Sequence, residues 1–214
     1  TPLYSSAASD VYKRQLVEKD YAERGLVHHN WNHVLRVLAE GVELGEEEGA
    51  SMKIVLAGLL LHDIGRLHSE EGEDHHLAGA KIASRILRRA GFAGNEIEQI
   101  VHCIKAHGPR GIEAPRTLEA QVCYDVDVLS CSCGNVGVAR VFHFFIAEHG
   151  FTVKQMMEIG SGKKGRRKDF YTETGRKQGL KGYLKAARFW TELGEELKEE
   201  ERAVKKIISY YKGD

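Results

Sequence analysis

Residues 59–66 read LLLHDIGR, and the His62–Asp63 dyad closes an otherwise apolar run. A carboxylate carried into such a run is costly to bury unless a charge or a metal ion compensates it. Adjacent helical positions project about 100° apart, so an imidazole and a carboxylate side by side both reach an ion lying between their directions. Gly65 is then expected to turn the backbone away and leave room for a substrate. The chain holds eleven histidines, an unusual count for a side chain that ligates metals and titrates near neutral pH. His29 and His33 stand four residues apart and share one face of a helix, while His28 points elsewhere, towards the surface. His102 and His107 fall on one further helix.

These side chains need elements to position them, and helical periodicity dominates the sequence. A first helix is expected over Val11 to Arg24, and a second from Asn30 to about Gly45–Gly49, with Trp31, Val34, Leu35, Val37, Leu38 and Val42 on it. Ser51 is placed to cap a third that begins at Met52 and is apolar on nearly every face from Ile54 to Leu61, hence buried on all sides. It is expected to break at Gly65, with a loop from Leu67 to Asp74 and helix again from His75 to Ala90, stopped by Gly91. Asn95 is expected to cap the helix Glu96 to His107, which ends at Gly108-Pro109. Thr117 opens another, through Ala120, Val122, Val126 and Leu129, and helix continues over Val136 to His149 and stops at Gly150. The last helix is read from Leu180 to Tyr211, with a seam of Tyr183, Ala187, Trp190, Leu193, Leu197, Val204, Ile208 and Tyr211.

Composition limits the rest. With 214 residues, 42% hydrophobic and 29% charged, the chain is long enough for a core that needs no disulfide or structural metal. The 31 basic residues balance the 31 acidic ones, which argues against bulk nucleic-acid or membrane-surface binding. Cysteines 103, 123, 131 and 133 contain no C-x-x-C pair and read as thiols in a reducing cytoplasm. Residues 1–15, TPLYSSAASDVYKRQ, resemble translated adapter sequence and are set aside, the alternative being that Ser9 or Asp10 caps the first helix. The simplest division is a leader (1–15), a metal-binding core (16–150), and a basic loop with a C-terminal helix packed on that core (151–214). The basic segment SGKKGRRK, with Lys163, Lys164, Arg166, Arg167 and Lys168, is read as a mobile solvated loop rather than a cover over a polyphosphate.

LLLHDIGR resembles the signature of the HD superfamily of all-helical metal-dependent phosphohydrolases. The family pattern is a histidine, the His-Asp dyad and a distant aspartate. It falls here on His33 in HHNWNHVLRV, His62 and Asp63, and Asp127 in TLEAQVCYDVDVLS. IEQIVHCIKAH, VGVARVF and TETGRK are similar to a branch of small bacterial and archaeal HD hydrolases. The resemblance implies an all-α HD bundle with a C-terminal helical extension. It also implies a divalent ion held by His33, His62, Asp63 and Asp127. Two imidazoles and two carboxylates without a thiolate suit manganese, iron, cobalt, nickel or zinc, with manganese favoured.

Further residues follow from the same likeness. Arg66, three residues after Asp63, is assigned to a substrate phosphate, the alternative being an exposed helix-end arginine. Asp63, Arg66 and His107 are taken as the catalytic group. His29, His75 or His76, His102 and His107 build either a second metal site or a wall of phosphate contacts; one metal with phosphate-contacting histidines is preferred. Asp125 is expected to hydrogen-bond a ligand or carry a proton. Cys131, one turn past Asp127, faces the pocket or is an inert buried thiol. SCSCGN departs from the family, where an acidic residue follows the ligand aspartate at about this place.

The implied activity is hydrolysis of a phosphoester or phosphoanhydride of a small molecule, a nucleotide above all, by metal-activated water. The competing readings are a di-iron oxygenase on the same scaffold and a non-catalytic metal- or nucleotide-binding module. No membrane or nucleic-acid partner is expected, the compartment is read as cytoplasmic, and a homodimer is suggested by an exposed aromatic helix near Trp190.

Overall fold

The computed structural model describes residues 17–24, 26, 28–70, 72–163 and 170–212, and every regular element among them is an α-helix. Helix α1 covers residues 17–24. It is followed by α2 (Trp31–Glu48), α3 (Met52–Leu61), α4 (Ile64–His68), α5 (His75–Arg89) and α6 (Gly94–Ala106). Then come α7 (Leu118–Ser132), α8 (Gly134–His149), α9 (Val153–Lys163) and α10 (Glu173–Lys212). The expected leader and the part of the basic segment at 164–168 lie outside the described residues.

Local chemistry accounts for most boundaries. Asn30 caps α2, its Oδ1 accepting from the His33 amide at 3.1 Å, and Gly49 ends it with φ +73°. Thr117 caps α7 by accepting from the Ala120 amide. Asp74 caps α5 through the amides of His76 and Leu77. Ser51 occupies the N-cap position of α3 without a side-chain bond, and its amide instead donates to Glu119.

Four boundaries differ from expectation. Gly65 does not break a helix: the chain turns at His62–Asp63 and α4 runs through Gly65 to His68. The glycine is needed for close approach, since a Cβ there would run into the carbonyl of His75 and come within 2.6 Å of the Gly79 amide nitrogen on α5. Asn95 is not the cap of α6; the helix starts at Gly94, and Glu96 reaches back to the Ala93 amide. The helix read through Leu129 and on to His149 is two helices parted at Cys133, where Gly134 sits at φ +70°. Finally, α10 begins at Glu173, not Leu180, because its start is held by α7, as described below.

The main apolar core joins Val34, Val37 and Leu44 of α2 to Ile54, Val55 and Leu59 of α3, Ile100 and Ile104 of α6, and Val122 and Val126 of α7. Helix α3 is its centre, as its all-round apolarity requires. A second, smaller cluster gathers Val138 of α8, Met156 of α9, and Ala186 and Trp190 of α10. No single helix among the described residues is long and apolar enough to cross a membrane.

Candidate metal centre

Two of the site's histidines are positioned by the same local device. His62 and His107 each follow the last residue of a helix, where the final carbonyls lack intrahelical partners. Each Nδ1 lies 2.6 Å from the carbonyl oxygen three residues back, Leu59 for His62 and Ile104 for His107. A carbonyl only accepts, so Nδ1 carries a proton and Nε2 is aimed inward, bare whenever the ring is neutral. His33, in the first turn of α2, presents its Nε2 3.0 Å from that of His62.

The carboxylates close the group. Asp63 Oδ2 is 3.2 Å from His62 Nε2, 3.7 Å from His33 Nε2 and 2.6 Å from His29 Nδ1. Asp127 Oδ1, from α7, is 3.6 Å from His33 Nε2. The four residues picked out by the HD pattern therefore converge on one buried pocket, with His33, His62 and Asp63 at most 1% exposed. Donor atoms of His33, His62 and Asp127 lie within 4.8 Å of one another, as do those of His29, His33 and Asp63. Gly108, at φ +65°, lets the chain pass this close: a Cβ there would stand 2.7 Å from Asp127 Oδ2.

The other Asp63 oxygen faces a second group. Oδ1 accepts from Arg66 Nε at 2.6 Å and lies 3.4 Å from His107 Nε2 and 3.8 Å from His75 Nε2. His75, His76 and His107 have donor atoms within 4.8 Å of one another. Arg66 is thus turned onto Asp63 rather than out towards solvent.

Charge is distributed unevenly over the pocket. Burial, aided by His62, lowers the His33 pKa to about 3. At His62 burial also acts downwards, but the Asp63 carboxylate overrides it and raises the pKa to about 9. Asp63 is held well below the carboxylate range because His62 and His29 outweigh its burial. Burial and nearby Arg66 lower His75 to about 3. The donor set fits a divalent cation: two carboxylates, Asp63 buried and Asp127 13% exposed, face imidazole nitrogens, and the positive charge they need is carried by protonated His62 or by an ion that replaces its proton. His75 Nε2 and His33 Nδ1 are buried and have no hydrogen-bond partner.

Three sequence expectations are corrected. His102 does not join the cluster; its Nδ1 faces Glu113 at 3.2 Å and its Nε2 accepts from the Arg116 amide, which ties down the loop after α6. Asp125, expected to hydrogen-bond a ligand or carry a proton, is engaged by residues 171 and 172. It is buried and accepts from the amides of Tyr171 and Thr172 and from the Thr172 hydroxyl, fastening the start of α10 to α7. His28 is not a surface residue: its ring stacks 6.1 Å from that of His33 and 5.2 Å from Phe144 of α8. No periodicity signals this, because residues 28–30 precede the helix. Cys131 does face the pocket, with Sγ 3.3 Å from Asp127 Oδ1.

A His-Asp dyad between two helices, joined by a histidine from before it and an aspartate far after it, defines an HD-type centre. The HD domain profile matches residues 30–131, and the chain belongs to the HD-domain family. Its fold is similar to that of a predicted HD superfamily hydrolase from an uncultured Thermotogales bacterium. That structure is 25% identical with a TM-score of 0.65, over 87% of this chain and 91% of the other. It is also similar to YpgQ of Bacillus subtilis, solved in complex with ADP. Here the TM-score is 0.63 at 20% identity, over 88% of this chain and 97% of the other, a likeness of fold. In sequence it is 33% identical over 148 residues to ribonuclease Y of Acidothermus cellulolyticus. The match takes in 67% of this chain and about a quarter (27%) of that protein's length.

Proposed function

We propose that the chain is a metal-dependent phosphohydrolase that cleaves a phosphoester or phosphoanhydride of a nucleotide. The observation that carries this reading is the convergence of His33, His62, Asp63 and Asp127 from three separate stretches onto one buried pocket. These four would hold a divalent ion, manganese above the other candidates because the set is nitrogen and oxygen without a thiolate. When bound, such an ion lowers the pKa of a bound water and withdraws charge from a phosphoryl oxygen.

The protein's own part is positioning. The carbonyls of Leu59 and Ile104 lock the rings of His62 and His107 with Nε2 inward. His29 and Arg66 flank the two Asp63 oxygens and keep that carboxylate ionised and fixed in orientation. His75, His76 and His107 line the side of the pocket reached by Asp63 Oδ1, where they would meet the phosphoryl oxygens. Arg66 is available to a phosphate once it leaves Asp63. The ADP bound by YpgQ supports a nucleotide as the substrate class.

A second reading, two ions per chain, is favoured by the His75–His76–His107 group and by Asp63 turning one oxygen to each cluster. Two irons with oxygen uptake would mark an oxygenase, and nucleotide binding without turnover a non-catalytic module. The test is elemental analysis of the purified protein, then phosphate release from nucleotides and aryl phosphates with several divalent ions. Hydrolysis that needs Mn²⁺ and vanishes in His62→Ala and Asp63→Ala is expected. Metal-loaded protein inert towards every phosphate offered, or full activity in those variants, would overturn the proposal.

A further inference from the structure

Helix α10 outruns the body it packs on. Its first half is covered: Trp190 is 9% exposed and stacks on Phe142 of α8 at 5.1 Å, so the aromatic position expected to mark a dimer is already occupied from within the chain. Helix α9 accompanies α10 as far as Glu201, whose carboxylate lies 3.6 Å from Lys154. From Lys198 to Tyr210 every residue is exposed. Within that span Val204, Ile207 and Ile208 are 54%, 57% and 47% exposed.

These apolar residues are not scattered. Tyr183, Trp190, Leu197, Val204 and Tyr211 recur at intervals of seven, and Ile207 lies fourteen after Leu193. A seven-residue apolar repeat is the signature of a seam shared by supercoiled helices. The first part of the seam packs against α8, and the same register continues at the exposed Val204 and Ile207, with Glu200 midway between Leu193 and Ile207.

We propose that the last five turns of α10, residues 195–212, pair antiparallel with the same turns of a second copy of this chain, forming a two-fold symmetric dimer. The order of charges selects this partner and this direction. Residues 195–201 hold five glutamates and one lysine, a net of −4; residues 202–212 hold one arginine and three lysines, a net of +4. Antiparallel pairing sets the acidic block of each copy against the basic block of the other, twice over. Parallel pairing would set like against like and align the helix dipoles unfavourably. The arrangement is isologous and closed, so it stops at two copies.

The inference is independent of the proposed chemistry, and its test reads mass, not activity. A seam this short is below the roughly 1,200 Å² of a standard interface, so dissociation constants on the order of micromolar are expected. Sedimentation equilibrium of the full chain across that range should show mass rising from one copy to two. Val204→Glu with Ile207→Glu should leave a monomer whose thermal unfolding matches that of the wild type at concentrations where the wild type is also a monomer, because both positions are in water in the single chain. Glu199→Lys with Glu200→Lys should weaken pairing at least tenfold, and so should Lys205→Glu with Lys206→Glu. All four changes together should restore it. A wild-type monomer throughout, or a dimer indifferent to Val204 and Ile207, would overturn the proposal. Charge reversals without effect would overturn the antiparallel direction. A monomer that instead sediments with phosphatidylserine–phosphatidylcholine vesicles would show that a lipid surface covers this stripe.

Discussion

Asp63 and Asp125 are both buried aspartates of one small protein, 1% and 0% exposed, and they are buried by opposite means. Around Asp125 the partners are two backbone amides and a hydroxyl from residues 171–172, and nothing else is required to satisfy its oxygens. Around Asp63 they are His29, His62, His75, His107 and Arg66, groups that are cationic or bind cations. A carboxylate met by fixed dipoles is a fastening. A carboxylate met by imidazoles, two of them with the far nitrogen held by a backbone carbonyl, is a place for a cation. The contrast separates structure from chemistry at positions that look alike in sequence.

The largest effect expected from this contrast is on turnover. Asp63→Ala or His62→Ala should lower Mn²⁺-dependent phosphate release by more than about 100-fold, beyond what losing an outer partner of a metal ligand costs. Circular dichroism should find the helices intact. Asp125→Ala should do the reverse. It strands two amides and a hydroxyl at the α7–α10 junction, each costing on the order of 1–3 kcal/mol when buried without a partner. Urea unfolding should therefore show a loss of about 3 kcal/mol or more, while bound Mn²⁺ per folded chain stays at the wild-type value. If Asp125→Ala lost metal and kept stability, the comparison would be wrong in its central point.

A somewhat smaller effect sharpens it. An ion that binds only the folded chain stabilises by about 2.7 kcal/mol at one hundred times its dissociation constant. Adding Mn²⁺ should raise the unfolding midpoint of the wild type and of Asp125→Asn. In His62→Ala the increment should disappear. A midpoint in the wild type that ignores Mn²⁺ would count against a cation between the histidines.

The difference between the two aspartates was only half legible in the sequence. The dyad stood out because its signal is local: a charged pair ending a run of leucines, on a helix too apolar to be anything but central. Caps such as Asn30 and Thr117, and stops such as Gly49 and Gly150, were legible for the same reason, since each acts within four residues. What periodicity could not supply was direction outside a helix or across the fold. His28 and His29 precede α2, so helical spacing says nothing of their rings, and only the structure turns His29 onto Asp63 and His28 onto His33. His102 and His107 share a helical segment in sequence, yet His107 lies just past its end and faces inward, while His102 turns to Glu113. Asp125 took its role from residues 46 and 47 positions away, a separation over which no spacing argument holds.

A third carboxylate tests the rule at its weak end. Glu40, on α2, has one oxygen, Oε2, that is buried without a hydrogen-bond donor. It has neither the dipoles of Asp125 nor the histidines of Asp63. Burial raises its pKa to about 7, although Arg140 and Arg36 pull it down; Glu43 and, more remotely, Asp127 push it up. Lys181 and Lys185 of α10 line the same cavity of about 270 Å³. Because the folded pKa lies above the unfolded one, the folded chain binds the proton more tightly. The resulting stability is full below about pH 4 and is lost as pH rises through about 7. Glu40→Gln keeps the shape and removes the titration. Its stability relative to wild type should therefore rise between pH 4 and pH 8, by on the order of 1–2 kcal/mol after allowance for the group's partial exposure. Urea midpoints at the two pH values measure this directly. A difference that stays flat with pH would mean that the two arginines satisfy Glu40 as fully as residues 171–172 satisfy Asp125, and that a missing donor is not what raises its pKa.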